Sequence, residues 1–156
     1  MRRVLLSFLF APLAGCAVLP IPYQEPASGP VATVQLKNDS NQLLTISLFQ
    51  TSRACVGRRK VAEIAPFAEA GRTIPADIEV TLQYRLLQRG MNAFCLANLR
   101  FTPRRDRRYV LNTSEGPHGC KWEMADVTDP ANPAPVPLQT IKPTTGWTED
   151  SSFCKE

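Results

Sequence analysis

Residues 78–86 read Ile-Glu-Val-Thr-Leu-Gln-Tyr-Arg-Leu. Ile78, Val80, Leu82, Tyr84 and Leu86 alternate with Glu79, Thr81, Gln83 and Arg85. A period of two places one set on each face of a β-strand, so this stretch predicts a strand with an apolar inner face and a polar outer face. Residues 88–92, Gln-Arg-Gly-Met-Asn, supply a turn. Residues 93–101 then repeat the alternation, with Cys95, Ala97, Leu99 and Phe101 on one side.

The same period extends outward from this pair. Downstream, residues 102–107 turn, residues 108–113 form a strand around Tyr109 and Leu111, and residues 120–127 form another with Trp122 and Met124 on one face. Residues 138–141 read as an edge strand stopped by Pro143. The tail, residues 144–156, holds Trp147 and Cys154, which suggests that it packs back on the domain. Upstream, residues 31–37 and 43–49 alternate on either side of the turn cluster Asn38-Asp39-Ser40-Asn41 and read as a β-hairpin. Residues 50–59 read as a polar loop running into Arg58-Arg59-Lys60, and residues 61–64 as a short strand. Pro66 argues against a helix, although residues 67–70 would allow one turn. With 14 prolines and no long helical period, about seven or eight short strands indicate an all-β fold, a small antiparallel β-sandwich of residues 31–156.

Residues 1–16 read differently. Arg2 and Arg3 precede an apolar run from Val4 to Leu13, interrupted by Ser7 and Pro12. This is the layout of a signal peptide, and the run is shorter than the ~20 residues a permanent span needs. Leu13-Ala14-Gly15-Cys16 resembles the bacterial lipobox. That resemblance implies cleavage before Cys16 and lipid on its sulfur, hence a membrane partner reached through an anchor and two or three acyl chains. In the family's sorting rule an Asp after the cysteine retains the protein in the inner membrane; Ala17 stands here, implying the outer membrane facing the periplasm. An ordinary signal peptide cut nearby is the alternative, because small residues also suit the general peptidase. The twin-arginine route fits less well, since the residues around Arg2-Arg3 depart from its pattern. Residues 17–30 carry Pro20, Pro22, Pro26 and Pro30 and read as a tether that could hold the domain up to roughly 40 Å from a membrane, or as a linker of no tuned length.

Removing residues 1–15 leaves 141 residues and takes two of the 18 basic side chains but none of the 14 acidic ones, leaving a net charge of +2. That mild charge does not suggest nucleic-acid binding. Cys55, Cys95, Cys120 and Cys154 remain to pair in an oxidising compartment. Four cysteines allow three connectivities. A meander of the strands at 93–101, 108–113 and 120–127 would bring Cys95 beside Cys120 and leave Cys55 for Cys154. None of these cysteines has the close spacing of a metal or redox site, so no metal is expected. No cofactor fingerprint or catalytic motif is present either.

From Ile74 onward the chain holds IPADIEVTLQY, then Cys95, Phe101-Thr102-Pro103, Tyr109-Val110 and Cys120. This run resembles small proteobacterial lipoproteins with PEGA-type or transthyretin-like β-sandwiches, over roughly residues 31–142. The resemblance implies a fold and an address and carries no functional residue.

Arg104, Arg105, Arg107 and Arg108 crowd one turn, a possible site for anionic headgroups, lipopolysaccharide phosphates or a polyanionic wall polymer, with a solvated turn as the plain alternative. Arg58-Arg59-Lys60 is a second basic stretch, and binding gains if the two meet in space. His118, the single histidine, sits beside Cys120. Trp122 suits the core, and Trp147 the cover of an edge. The expectation is a non-enzymatic envelope lipoprotein that presents its domain to an envelope protein, glycan or lipid. An inhibitor of a periplasmic or host hydrolase is a second possibility, though the Ser-Gly-x-x-Tyr loop of known lysozyme inhibitors is missing. A hydrolase using scattered carboxylates or His118 is a third.

Overall fold

The computed structural model describes residues 20–87, 94–116 and 119–155. The stretch read as a signal peptide, Cys16, the turn expected at 88–92 and His118 lie outside the described residues. The alternation quoted above becomes a central strand: Val80, Leu82, Tyr84 and Leu86 are all buried. Ile78 departs from the expectation. Asp77, in the left-handed region at φ 61°, turns the chain just before the strand, and Ile78 is left 56% exposed.

Among the described residues eleven strands form: β1 (Val31–Asn38), β2 (Leu43–Thr51), β3 (Val56–Ile64), β4 (Glu69–Pro75), β5 (Val80–Leu87), β6 (Phe94–Phe101), β7 (Arg108–Gly116), β8 (Gly119–Asp126), β9 (Ala134–Val136), β10 (Gln139–Pro143) and β11 (Cys154–Lys155). No helix occurs among the described residues. The strands make two sheets, one ordered β4-β1-β7-β8-β9 and one ordered β11-β10-β6-β5-β2-β3. Ala32, Val34, Leu36, Tyr109, Leu111 and Met124 of the first pack on Leu44, Ile46, Leu82, Tyr84 and Leu99 of the second. The fold is therefore the β-sandwich that the alternation implied, with each large apolar side chain contributing ~1.5–3 kcal/mol on burial.

Three local expectations are corrected. Residues 31–37 and 43–49 do not form a hairpin: β1 pairs with β4 and β7, whereas β2 pairs with β3 and β5. The turn crosses from one sheet to the other, so both apolar faces meet across the interior instead of side by side. Asn38, fully buried, holds that crossing; its Nδ2 donates to the Ile64 and Ala65 carbonyls at 3.2 and 2.9 Å, and its Oδ1 accepts from Ser40 Oγ at 2.6 Å. The β1–β7 ladder is parallel, the one departure from antiparallel pairing among the ladders of the two sheets. Residues 56–64 are a strand and not a loop, because the chain reverses tightly after β2, with Cys55 at φ 50° and Gly57 at φ 72°. The φ of Gly57 lies where a side chain is strained, and a Cβ there would also push aside the exposed Gln50 amide, so the reversal favours glycine.

The expected meander behind Cys95–Cys120 is also absent, since β6 lies in one sheet and β7 and β8 in the other. Cys95 is nevertheless joined to Cys120, and the bond staples the two sheets together. Cys55 is joined to Cys154, tying the tail to the β2–β3 turn.

Residues 20–30 do not stand off from the domain. The Ile21 carbonyl accepts from Lys60 N–H at 2.8 Å, and Tyr23 N–H donates to the Lys60 carbonyl at 2.9 Å. Tyr23 Oη donates to the Thr73 carbonyl at 3.0 Å, while Glu25 Oε1 accepts from Thr73 N–H at 3.2 Å. Lys60 lies on edge strand β3 and Thr73 on edge strand β4. The segment thus closes the open side of the sandwich across both edges, and its prolines, which cannot donate, suit an outermost position.

Candidate functional site

The outer face of the larger sheet carries the most distinctive chemistry. Register aligns Lys60, Ser47, Gln83 and Asn98 in one row, and next to it pairs Arg58 with Phe49 and Thr81 with Arg100. In sequence these alternate positions read as solvent-facing. Thr81, Gln83 and Asn98 are instead 0%, 4% and 0% exposed: the tail lies over Asn98, Arg58 held by the tail's Glu149 covers Gln83, and Ser52 and Arg100 close over Thr81. Phe153 stacks on Phe49 at 5.7 Å, and the Arg58 guanidinium sits 4.1 Å from the Phe153 ring centre. The Phe153 carbonyl accepts from Asn98 Nδ2 at 2.8 Å.

Glu149 completes this layer. Its carboxylate takes Arg58 in a two-pronged contact, Nε to Oε2 at 2.6 Å and Nη2 to Oε1 at 2.8 Å. Arg58 Nη1 also donates to Gln83 Oε1 at 3.1 Å, and Gln83 Nε2 donates to Asn98 Oδ1 at 3.0 Å. A continuous chain of donors and acceptors therefore runs from the tail into the sheet. Arg100 anchors the far side, donating to the Arg53 carbonyl at 3.0 Å. The expectation that the tail packs back holds, but Trp147 takes no part; it is 96% exposed. Trp122 packs partly buried against the core.

Where the tail stops, a small cleft of about 50 Å³ opens. Arg58, Lys60 and Arg85 line it beside Thr45, Ser47, Gln83 and Glu149, and Pro20 forms its rim. Arg58 is engaged by Glu149. Lys60 lies 3.6 Å from Glu63, with both side chains well exposed, a pairing worth little in water. Arg85 is exposed and belongs to none of the ion pairs among the described residues. Two available cations, two hydroxyls and an amide facing one recess can hold an anionic oxygen group.

The arginine-rich turn between β6 and β7 is a different place. Arg104, Arg105, Arg107 and Arg108 are exposed there. Arg105 meets Asp77 at 3.3 Å, Arg107 meets Asp126 at 3.7 Å, and Arg108 Nη2 donates to the Thr128 carbonyl at 3.0 Å. Burial works to raise the Asp126 pKa, but hydrogen bonds from Thr128 and the charges of Arg107 and Arg104 outweigh it and hold the carboxyl below its ordinary value. The turn thus carries its own counter-charges. Three strand steps separate β3 from β6, roughly 14 Å. The two basic stretches line different clefts, so the structure does not bring them together.

Carboxylates are likewise dispersed: Glu149, Glu79, Asp77 and Asp126 each face a different arginine. Among the described residues no three His, Cys, Asp or Glu side chains gather as metal ligands. The buried polar face was missed by pattern reading because nothing local marks it. The one available signal was a Cys55–Cys154 bond, which would draw the tail across β2 and its neighbours.

Fold and site together define a small β-sandwich with one disulfide between its sheets, a second holding a tail over a polar face, and a cationic cleft at its N-terminal edge. No protein-family model matches the chain, and no curated protein matches it in sequence.

Proposed function

We propose that the chain is an exported envelope lipoprotein, acylated at Cys16, whose sandwich serves contact with a partner and not turnover. The observation that carries this is the lipobox-like Leu13-Ala14-Gly15-Cys16 in a chain whose other four cysteines form Cys55–Cys154 and Cys95–Cys120 and leave Cys16 out. Two disulfides suit an oxidising compartment. Each buried methylene contributes ~0.8 kcal/mol to membrane binding, so two or three acyl chains would hold the protein permanently without a helix. No helix among the described residues is long and apolar enough to cross a membrane. On the outer face Glu149 is taken up by Arg58 and Glu79 by Arg100, while the cations Lys60 and Arg85 are left for a ligand, which favours a binding role over acid–base chemistry. Ala17 supports the outer membrane, facing the periplasm, as the address.

The test is expression in a diderm bacterium grown with an alkyne fatty acid. The protein takes up label and enters the detergent phase, its N-terminal peptide begins at diacylglyceryl-modified Cys16, and Cys16→Ser loses all three properties. An unmodified thiol at Cys16, or an N-terminus elsewhere, overturns the reading. Crosslinking in intact cells then identifies the envelope protein, glycan or lipid that the domain meets.

A further inference from the structure

We propose that the cleft of Lys60 and Arg85 seats the phosphate of an anionic phospholipid in the bilayer that holds Cys16, so that the sandwich lies against the membrane on this face. The proposal rests on the anchor at Cys16. Its geometry is independent of the attachment chemistry.

The first argument is reach. Pro20 forms the rim of the cleft and is four residues from Cys16. Four residues span at most about 14 Å even when fully extended. Residues 21–25 cannot lengthen the leash, because Ile21, Tyr23 and Glu25 are hydrogen-bonded to Lys60 and Thr73 on the two edge strands. An acylated Cys16 therefore brings the headgroup layer to the mouth of the cleft.

The second argument is charge. Arg85 stands exposed with no ion pair among the described residues, and Lys60 has only the exposed Glu63 at 3.6 Å. Each lysine or arginine near an anionic surface adds attraction that falls off within a Debye length, so cations matter most where the tether is shortest. Glu149 fixes Arg58 and leaves the other two cations to a ligand. The third argument is the neighbouring surface. Ile21, next to Pro20 and hydrogen-bonded through its carbonyl to Lys60 N–H, is 41% exposed. An apolar side chain beside cations matches the boundary between headgroups and acyl chains.

The test uses residues 16–156 made without acylation and coupled through the Cys16 thiol to a maleimide lipid, so its outcome does not depend on whether a cell acylates that residue. Vesicles are phosphatidylcholine alone or with an equal part of phosphatidylglycerol. Arginine and lysine side chains are footprinted with phenylglyoxal and acetic anhydride and read by mass spectrometry. Arg85 and Lys60 are expected to lose reactivity about threefold on the anionic vesicles, with Arg104 and Arg105 unchanged. An Arg85→Glu variant, whose exposed position spares the fold, is expected to lose the protection of Lys60. Equal reactivity on both vesicles overturns the proposal, as does protection of the Arg104–Arg105 turn in place of the cleft. Equal protection by inorganic phosphate in the absence of anionic lipid would make this a free-phosphate site and overturn the assignment to a headgroup.

Discussion

Glu149 grips Arg58 with both carboxylate oxygens, at 2.6 and 2.8 Å, across 91 residues of chain. The pair is the point at which a tail of irregular structure becomes part of the sheet's outer surface. Glu149 is 8% exposed, so its charge is stabilised by the guanidinium and little by water.

Glu149→Gln is expected to lower stability by about 1–2 kcal/mol, less than a fully buried pair loses because the Arg58 side chain keeps a quarter of its exposure. Urea unfolding of the two proteins at neutral pH checks this. A loss below a few tenths of a kcal/mol would show that solvent already compensates the pair.

The bond between Cys55 and Cys154 spans 99 residues, against 25 for Cys95–Cys120. Loop-closure entropy makes the first worth ~5 kcal/mol and the second ~3.5 kcal/mol. Replacing Cys55 and Cys154 together by Ser is expected to cost the larger amount. It is also expected to expose the tail to limited proteolysis after Pro143 while the sandwich stays intact. Equal protease resistance in both proteins would mean that the Glu149 and Phe153 contacts hold the tail unaided.

Tyr84 sits in the core, 2% exposed, and its hydroxyl has no hydrogen-bond partner among the described residues. Burial raises its pKa well above 10.0 and keeps it neutral. Tyr84→Phe removes an unpaired polar atom without changing the ring, and is expected to raise stability by about 1 kcal/mol. A decrease in the urea midpoint at unchanged m would contradict this.

Tyr23 spans the two edges, and burial, aided by the Glu25 charge, pushes its pKa up to about 12. The folded state therefore binds this proton more tightly than the unfolded state. The stability it contributes is complete below pH 10 and is lost as pH rises toward 12. Tyr23→Phe is expected to flatten that part of the stability profile, measured by urea unfolding from pH 9 to 12. An unchanged slope would show that Tyr23 titrates alike in both states.

Asn38→Ala withdraws the donor from the Ile64 and Ala65 carbonyls, leaves Ser40 N–H without its acceptor and leaves Ser40 Oγ only the longer bond to the Gln42 carbonyl. The expected cost is about 2–4 kcal/mol, from buried polar groups left unpaired. Thermal unfolding reads it, and a shift no larger than that of an exposed Asn41→Ala control would refute it.

Much of the architecture was legible because β alternation is a local signal. Leu44, Ile46 and Leu48, or Ala97, Leu99 and Phe101, announce an apolar face whatever they pair with. The same signal was silent about partners. Residues 31–37 and 43–49 look like a hairpin in sequence, and the choice to cross between sheets is made by Asn38 bonding to β3, 26 residues away. Gln83 and Asn98 read as solvent-facing for a related reason: nothing nearby tells that Glu149, through Arg58, and Phe153 will close over them.

From its residues alone the chain determined an all-β domain, since side-chain period and turn residues act within a few positions of themselves. Tertiary structure alone decided which strands share a sheet, that residues 20–25 clamp two edges instead of spacing a domain from a surface, and that Lys60 and Arg85 open beside Pro20. Those outcomes depend on contacts tens of residues apart, whose closure is settled by the competition of whole faces for burial and hydrogen bonds and leaves no periodic trace in the sequence.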